Sequence, residues 1–132
     1  MLGPGIMADA NLYAAWVGML LGGIAGAVQG LWFHHEAWLG GYGSWSRRML
    51  RLGHISFFGI GLINLAFALT ARSLDLVGGL YWPSRLLIAG AVTMPLICYL
   101  SAYRERFRHL FFIPALSVIV ATGLFLARLV RG

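Results

Sequence analysis

Four long apolar runs constrain this chain more than any other feature, because a helix that crosses a bilayer needs about 20 consecutive apolar residues. We place these runs at Leu12–Phe33, Leu52–Ala71, Ser84–Tyr103 and His109–Leu129. None of them contains an acidic residue, and basic side chains occur only at their edges. Backbone polar groups in lipid must be satisfied within their own segment, so each run is predicted to be a helix. The predicted fold is all-α: one integral membrane domain over residues 1–132, built as an up-down four-helix bundle.

The charge content supports lipid as the main solvent. Only 11% of the 132 residues are charged, whereas a soluble domain has about 25%. The net charge of +6 comes from arginines that cluster beside the apolar runs. This placement indicates contact with lipid headgroups and gives no basic stripe on a soluble face, so we expect no nucleic-acid partner.

The arginines also predict an orientation. Six of them flank the first and third connections and four flank the opposite face (Arg47, Arg48, Arg51, Arg104, Arg106 and Arg108 against Arg72, Arg85, Arg128 and Arg131). The positive-inside rule places the first set in the cytoplasm and both termini outside. We therefore expect a multi-pass protein of a bacterial-type cytoplasmic membrane.

A ladder of glycines runs along the first helix. Gly18, Gly22, Gly26 and Gly30 recur every fourth residue, and the next step of four reaches His34. Such spacing removes side chains along one stripe and lets two membrane helices approach closely. We predict that Gly18, Gly22 and Gly26 are packing positions, within the bundle or against another subunit, and that Gly30 opens towards a cofactor edge.

All four histidines are predicted to lie at one end of the bundle. His34 and His35 end the first helix, His54 lies near the start of the second, and His109 opens the fourth. Histidine is also comfortable at headgroup depth, so a simple boundary role is the alternative. For His54 we favour a function, since polar residues inside a membrane run usually face the bundle.

Two cofactors could use these histidines. A b-type haem needs two imidazoles on facing helices, which His54 could supply with His109 across the core or with His34 or His35. Gly30 and Gly61 would then let the porphyrin edge lie against the backbone. The alternative is a zinc, copper or iron ion. The candidate ligands of that ion are His34, His54, His109 and Glu36.

Two further polar residues lie inside the runs. Gln29 and Asn64 are each predicted to form a hydrogen bond between helices. A role in binding a quinone or another small molecule is the alternative for both.

One stretch carries a resemblance. The segment "LGHISFFGIGLIN" around His54 resembles the histidine-bearing helices of small haem-binding membrane proteins, including the haem-copper-oxidase-like group. The resemblance covers about one helix and implies that His54 is a haem ligand. It also implies electron transfer or an accessory role, because the chain has four helices and no recognisable copper-ligand set.

Three classes of function follow from these observations. The first is a small membrane subunit of a redox or energy-converting complex that holds one b-type haem at its cytoplasmic face. The second is a haem-free structural or accessory subunit that packs through its glycine ladder against other membrane subunits or its own copies. The third is a small membrane enzyme or transporter with a histidine site for metal or protons.

Overall fold

The structure is a computed structural model that describes residues 4–132, and its regular elements are helical throughout that range. Four long helices follow one another along the chain: α1 (Pro4–Phe33), α2 (Trp45–Ser73), α3 (Tyr81–Tyr103) and α4 (Phe112–Val130). Short 3₁₀ helices lie at Trp38–Gly40 and Glu105–Leu110. All four long segments have the length and hydropathy of membrane spans. The predicted fold class, a membrane-spanning four-helix bundle, is confirmed.

Successive helices are antiparallel. Asn11 on α1 is opposite Asn64 on α2, whereas Gly26 is opposite His54. The segments 34–44 and 104–111 therefore lie at one end of the bundle, which we call the histidine end. The connection 74–80, the start of α1 and the end of α4 lie at the other, which we call the terminal end.

The helices pack as a three-helix unit with a peripheral fourth. Helices α1, α2 and α3 all contact one another, while α4 packs mainly on α3. The sequence predicted α2 and α4 as diagonal partners across a shared core. Instead, the diagonal contact joins α1 and α3, because hydrogen bonds and glycine contacts draw these two helices together with α2.

Three helices begin earlier than the sequence predicted, and the differences are largest for α1 and α2; α3 begins at Tyr81 where Ser84 was predicted, and α4 begins later, at Phe112 where His109 was predicted. Helix α1 is described from Pro4, whereas the predicted start was Leu12, and its Asp9 forms an ion pair with Arg72 of α2. Helix α2 starts at Trp45, whereas the prediction was Leu52. Its N-cap is Ser44, whose hydroxyl accepts a hydrogen bond from the Arg47 backbone N–H. Polar residues at the helix ends thus belong to helices that extend beyond the roughly 30 Å hydrocarbon layer.

The turn between α1 and α2 requires glycine. Gly40 and Gly41 have φ values of +88° and +97°, a region that other residues rarely occupy. This turn reverses the chain so that α2 can return along α1.

Candidate functional site

The glycine ladder is the surface on which α2 packs. A Cβ added at Gly22 would lie 2.9 Å from the Phe57 Cβ and 2.8 Å from the Phe58 ring, and one added at Gly18 would lie 3.4 Å from the Phe57 carbonyl oxygen. At Gly26 the added atom would meet the His54 ring at 2.5 Å. The absent side chains of α1 are thus replaced by side chains of α2 within the bundle.

His54 is part of this packing. It lies nine residues after Trp45, about 14 Å along α2 at 1.5 Å per residue, and is deeper than the first turn that the sequence predicted. Its Nδ1 is 3.0 Å from the Gly22 carbonyl oxygen. A carbonyl can only accept, so Nδ1–H donates, and in the neutral tautomer that makes this bond the lone pair is on Nε2. Phe58 covers the ring edge-on at 5.4 Å between centroids.

The other three histidines lie elsewhere. His34 and His35 follow the last residue of α1, are exposed, and have ring centroids 3.9 Å apart. His109 is exposed in the 3₁₀ helix before α4. They share the histidine end, as predicted, but they are surface residues, whereas His54 is partly buried between α1 and α2.

The predicted metal set is not assembled. Within residues 4–132, no three His, Cys, Asp or Glu side chains form a group able to hold a metal ion. His34, His54, His109 and Glu36 were predicted to converge because antiparallel helices bring their ends together. They do not, because His54 points into the α1–α2 interface and Glu36 is exposed in the turn.

The glycines that were expected to lie beside a haem do not form a shared pocket. Gly61 packs against the Ala15 carbonyl oxygen and Met19 of α1, with 3.3 Å to that oxygen from an added Cβ. Gly30 is exposed and faces open space. Two cavities of the described chain, one lined by Ala8 and Arg72 and one between α1 and α3, have no histidine in their lining. Among the described residues, the imidazole of His54 inside the span fits a haem ligand, and the haem stays a prediction.

Arg47 is a buried cation that the sequence analysis treated as a cytoplasmic loop residue. Its side chain is 2% exposed. Its guanidinium donates to the Phe33 carbonyl oxygen at 2.9 Å and to those of His35 and Glu36 at 3.3 Å. It also lies 4.9 Å from the Phe33 ring centroid. A cation at these carbonyls complements the negative end of the α1 dipole, so Arg47 joins the end of α1 to the start of α2.

A second buried polar group joins three helices. Asn11 and Asn64 are fully buried, and the Asn11 amide donates to the Asn64 side-chain oxygen at 2.7 Å and to the Ser84 carbonyl oxygen at 3.2 Å. The Ser84 hydroxyl donates to Asn11, and the Asn64 amide donates to the Leu87 carbonyl oxygen at 3.2 Å. The interhelical role of Asn64 is confirmed. Its partner Asn11 was missed because the first helix was predicted to begin one residue later.

Gln29 forms its predicted interhelical bond with Tyr99. The Gln29 amide donates to the Tyr99 hydroxyl at 2.5 Å, joining α1 to α3 near the histidine end. The Tyr99 ring itself lies on Gly53 of α2, where an added Cβ would be 3.1 Å away. This pair therefore marks a second point at which the three helices meet.

The outward face of α1 carries a second stripe of small residues. Gly23, Ala27 and Gly30 are exposed on the side away from α2. A Cβ added at Gly23 or Gly30 would have no neighbour within 4 Å. Unlike the ladder at positions 18, 22 and 26, this stripe is uncovered in the described chain.

Comparisons of the chain with family models, characterised proteins and solved structures give no match. The fold and the buried polar contacts define a multi-pass integral membrane protein in contact with the lipid bilayer. Its particular role has to be argued from its own surfaces.

Proposed function

We propose that the protein is a haem-free accessory subunit of a membrane complex and that it binds a transmembrane helix of its partner through the outward face of α1. The observation that carries this proposal is an outer stripe, which we define as Trp16, Leu20, Gly23, Ala27 and Gly30. All five residues are exposed.

The spacing of the outer stripe supports helix packing. Its steps along the chain are four, three, four and three residues, which is the heptad pattern of helices that pack side by side. The inner ladder instead has steps of four, which suit the close packing on α2. Helix α1 thus has two packing surfaces of different period, of which α2 covers one.

The small residues are the informative part of the stripe. Lipid chains cover any apolar helix face, so exposed leucines alone indicate only the bilayer. Glycine in a helix costs about 1 kcal/mol relative to alanine, and close approach of another helix offsets this cost in a membrane. Gly23 and Gly30 lie on one stripe of α1 and both lack that neighbour in the described chain, whereas the open Gly123 has no second glycine on α4; the paired openings on α1 favour a second protein there.

Site-specific photocrosslinking in the native membrane tests the proposal. A photoreactive residue is placed singly at positions 20, 23, 27 and 30, at the intervening positions 21 and 24, and at the control Gly123, an exposed and equally open glycine of α4. We expect one protein adduct at the four stripe positions and little at the others. The double substitution Gly23→Leu and Gly30→Leu should abolish the adduct formed from positions 20 and 27. The substitution Gly123→Leu should leave that adduct unchanged.

Two results would contradict the accessory role. Equal crosslinking at all exposed positions of α1 would mean that the outer stripe contacts only lipid and passing proteins. An adduct of twice the 14.4 kDa chain mass would replace the accessory subunit by a homo-oligomer.

A second candidate is the redox subunit with one b-type haem. One observation favours it: the Nδ1–H of His54 is held by a backbone carbonyl, an arrangement that orients histidines whose Nε2 binds a metal. The visible spectrum of purified protein, oxidised and then reduced, tests this candidate. Sharp reduced bands that vanish in His54→Ala would establish it, and a colourless protein from haem-replete cells would reject it.

For the orientation we keep the arginine rule, which supports a cytoplasmic histidine end in a bacterial-type membrane. A cysteine that replaces the exposed Glu105 should then be on the cytoplasmic side. In whole cells it should react with an impermeant maleimide only after the membrane has been permeabilised.

A further inference from the structure

An apolar groove lies between α1 and α3, on the side of α1 away from the outer stripe. Its volume is about 420 Å³. Its floor includes Gly18 and Phe57, and its rim includes the exposed side chains of Val17, Val92 and Leu96. The groove therefore opens directly into the lipid.

The groove has the length of one leaflet. Along α3 it extends from Ile88 to Tyr99, a rise of about 16 Å at 1.5 Å per residue. Half of the roughly 30 Å hydrocarbon layer is about 15 Å. Tyr99 lies four residues before the end of α3 at Tyr103, close to the depth at which hydrocarbon gives way to headgroups. The dimensions and depth match one acyl chain of the leaflet on the histidine end.

The shallow end of the groove offers hydrogen-bond donors. Tyr99 lines the groove and accepts a hydrogen bond from Gln29. A hydroxyl and a primary amide together carry three donor hydrogens, and their mutual bond uses one in either orientation of the amide. The ester carbonyl of a lipid at this depth can accept a hydrogen bond from one of the two remaining donor hydrogens. A purely hydrocarbon ligand has no carbonyl and cannot form this bond.

Positive charge lies immediately beyond these donors. Arg104 follows the last residue of α3, and Arg106 is exposed two residues further on. Arg108 at the same end is paired with Glu105, which leaves Arg104 and Arg106 for an outside anion. A phosphate one short step above the ester would lie at the level of these guanidinium groups.

We propose that the α1–α3 groove binds one acyl chain of an anionic phospholipid from the leaflet at the histidine end. Its ester carbonyl accepts a hydrogen bond from the Tyr99–Gln29 pair, and its headgroup contacts Arg104 and Arg106. This site is independent of the outer stripe and of the proposed accessory role, since the two surfaces share no residue.

Native mass spectrometry of the full-length, delipidated protein tests this site. The protein is titrated separately with phosphatidylglycerol, phosphatidylcholine and an isoprenoid quinone. We expect one phosphatidylglycerol to bind most tightly. Tyr99→Phe should weaken it about 2- to 10-fold, the range for one lost hydrogen bond, and Ala91→Phe, which fills the groove, should weaken it at least as much.

Matched variants separate the groove from the rest of the surface. Tyr103→Phe removes a hydroxyl from an exposed tyrosine of the same helix, and Ala66→Phe enlarges an exposed alanine of α2. Both should leave binding unchanged. Arg104→Gln with Arg106→Gln should remove the preference for phosphatidylglycerol over phosphatidylcholine.

Several results would overturn the proposal. One is full binding by folded Ala91→Phe, with folding verified by circular dichroism. If that variant does not fold, unchanged binding by Tyr99→Phe is sufficient. Equal affinity for the two phospholipids would remove the anionic headgroup from the proposal, and tighter binding of the quinone would assign the groove to a different ligand. None of these results depends on crosslinking at the outer stripe.

Discussion

Adding one methyl group at Gly22 should loosen the contact between α1 and α2. The new Cβ would lie 2.9 Å from the Cβ of Phe57 and 2.8 Å from the Phe58 ring. A Phe ring can rotate away, but the Phe57 Cβ is fixed to the α2 backbone. Restoring an ordinary contact of 3.4 Å at that atom therefore requires the helices to separate locally by 0.5 Å, the difference between 3.4 Å and 2.9 Å.

The expected cost follows from this shift. Overpacking of a well-packed core by one methyl costs about 1–3 kcal/mol. Replacement of glycine by alanine in a helix also gains up to about 1 kcal/mol, which hides part of the cost. Gly23→Ala is the matched control, because it gains the same helix propensity at a neighbouring position where an added Cβ meets nothing within 4 Å.

Reversible unfolding of the two purified variants in the same detergent, followed by circular dichroism, is the assay. Gly22→Ala should be less stable than Gly23→Ala by about 1–3 kcal/mol. Gly18→Ala, with an added contact of 3.4 Å, should lie close to the control. Equal stability of Gly22→Ala and Gly23→Ala would refute the assignment of the glycine ladder to internal packing.

Two further predictions concern the buried polar contacts. Asn64→Leu should destabilise the protein by about 1–2 kcal/mol in the same assay, because it removes the hydrogen bond from Asn11. The control Thr122→Val loses hydrogen bonds only to its own helix and should change stability little. An equal loss of stability in both variants would contradict the interhelical network. Arg47→Ala should lower the stability by about 2 kcal/mol or more, since three carbonyls at the end of α1 lose their donor. Arg48→Ala, at the exposed neighbouring position, should leave the stability nearly unchanged. An unchanged stability of Arg47→Ala would contradict its bridging role.

The number of helices could be predicted from the sequence, but two of their starts could not. Hydropathy identifies the part of a helix that lies in hydrocarbon, and it ends where polar residues begin. Asp9 therefore lay outside the predicted first run and Arg47 was placed at a connection, although each lies inside a helix and contacts another segment there. Their partners, Arg72 and the carbonyls of α1, are distant in sequence, so no local pattern identifies them.

The candidate site was predicted in part for the same reason. Antiparallel threading correctly placed the histidines at one end, because that depends only on helix order. Their convergence depends on the rotation of each helix, which the sequence did not determine. His54 faces Gly26 and not His109, since α2 is rotated by its own contacts with the glycine ladder.

A nuclear Overhauser measurement on the purified protein in detergent tests whether His54 of α2 fills the space left by Gly26 of α1. We expect a strong cross-peak between the His54 Hε1 proton and a Gly26 Hα proton. Cross-peaks from Hε1 to protons of any other helix, with none to Gly26, would contradict the packing on which the account of this protein rests.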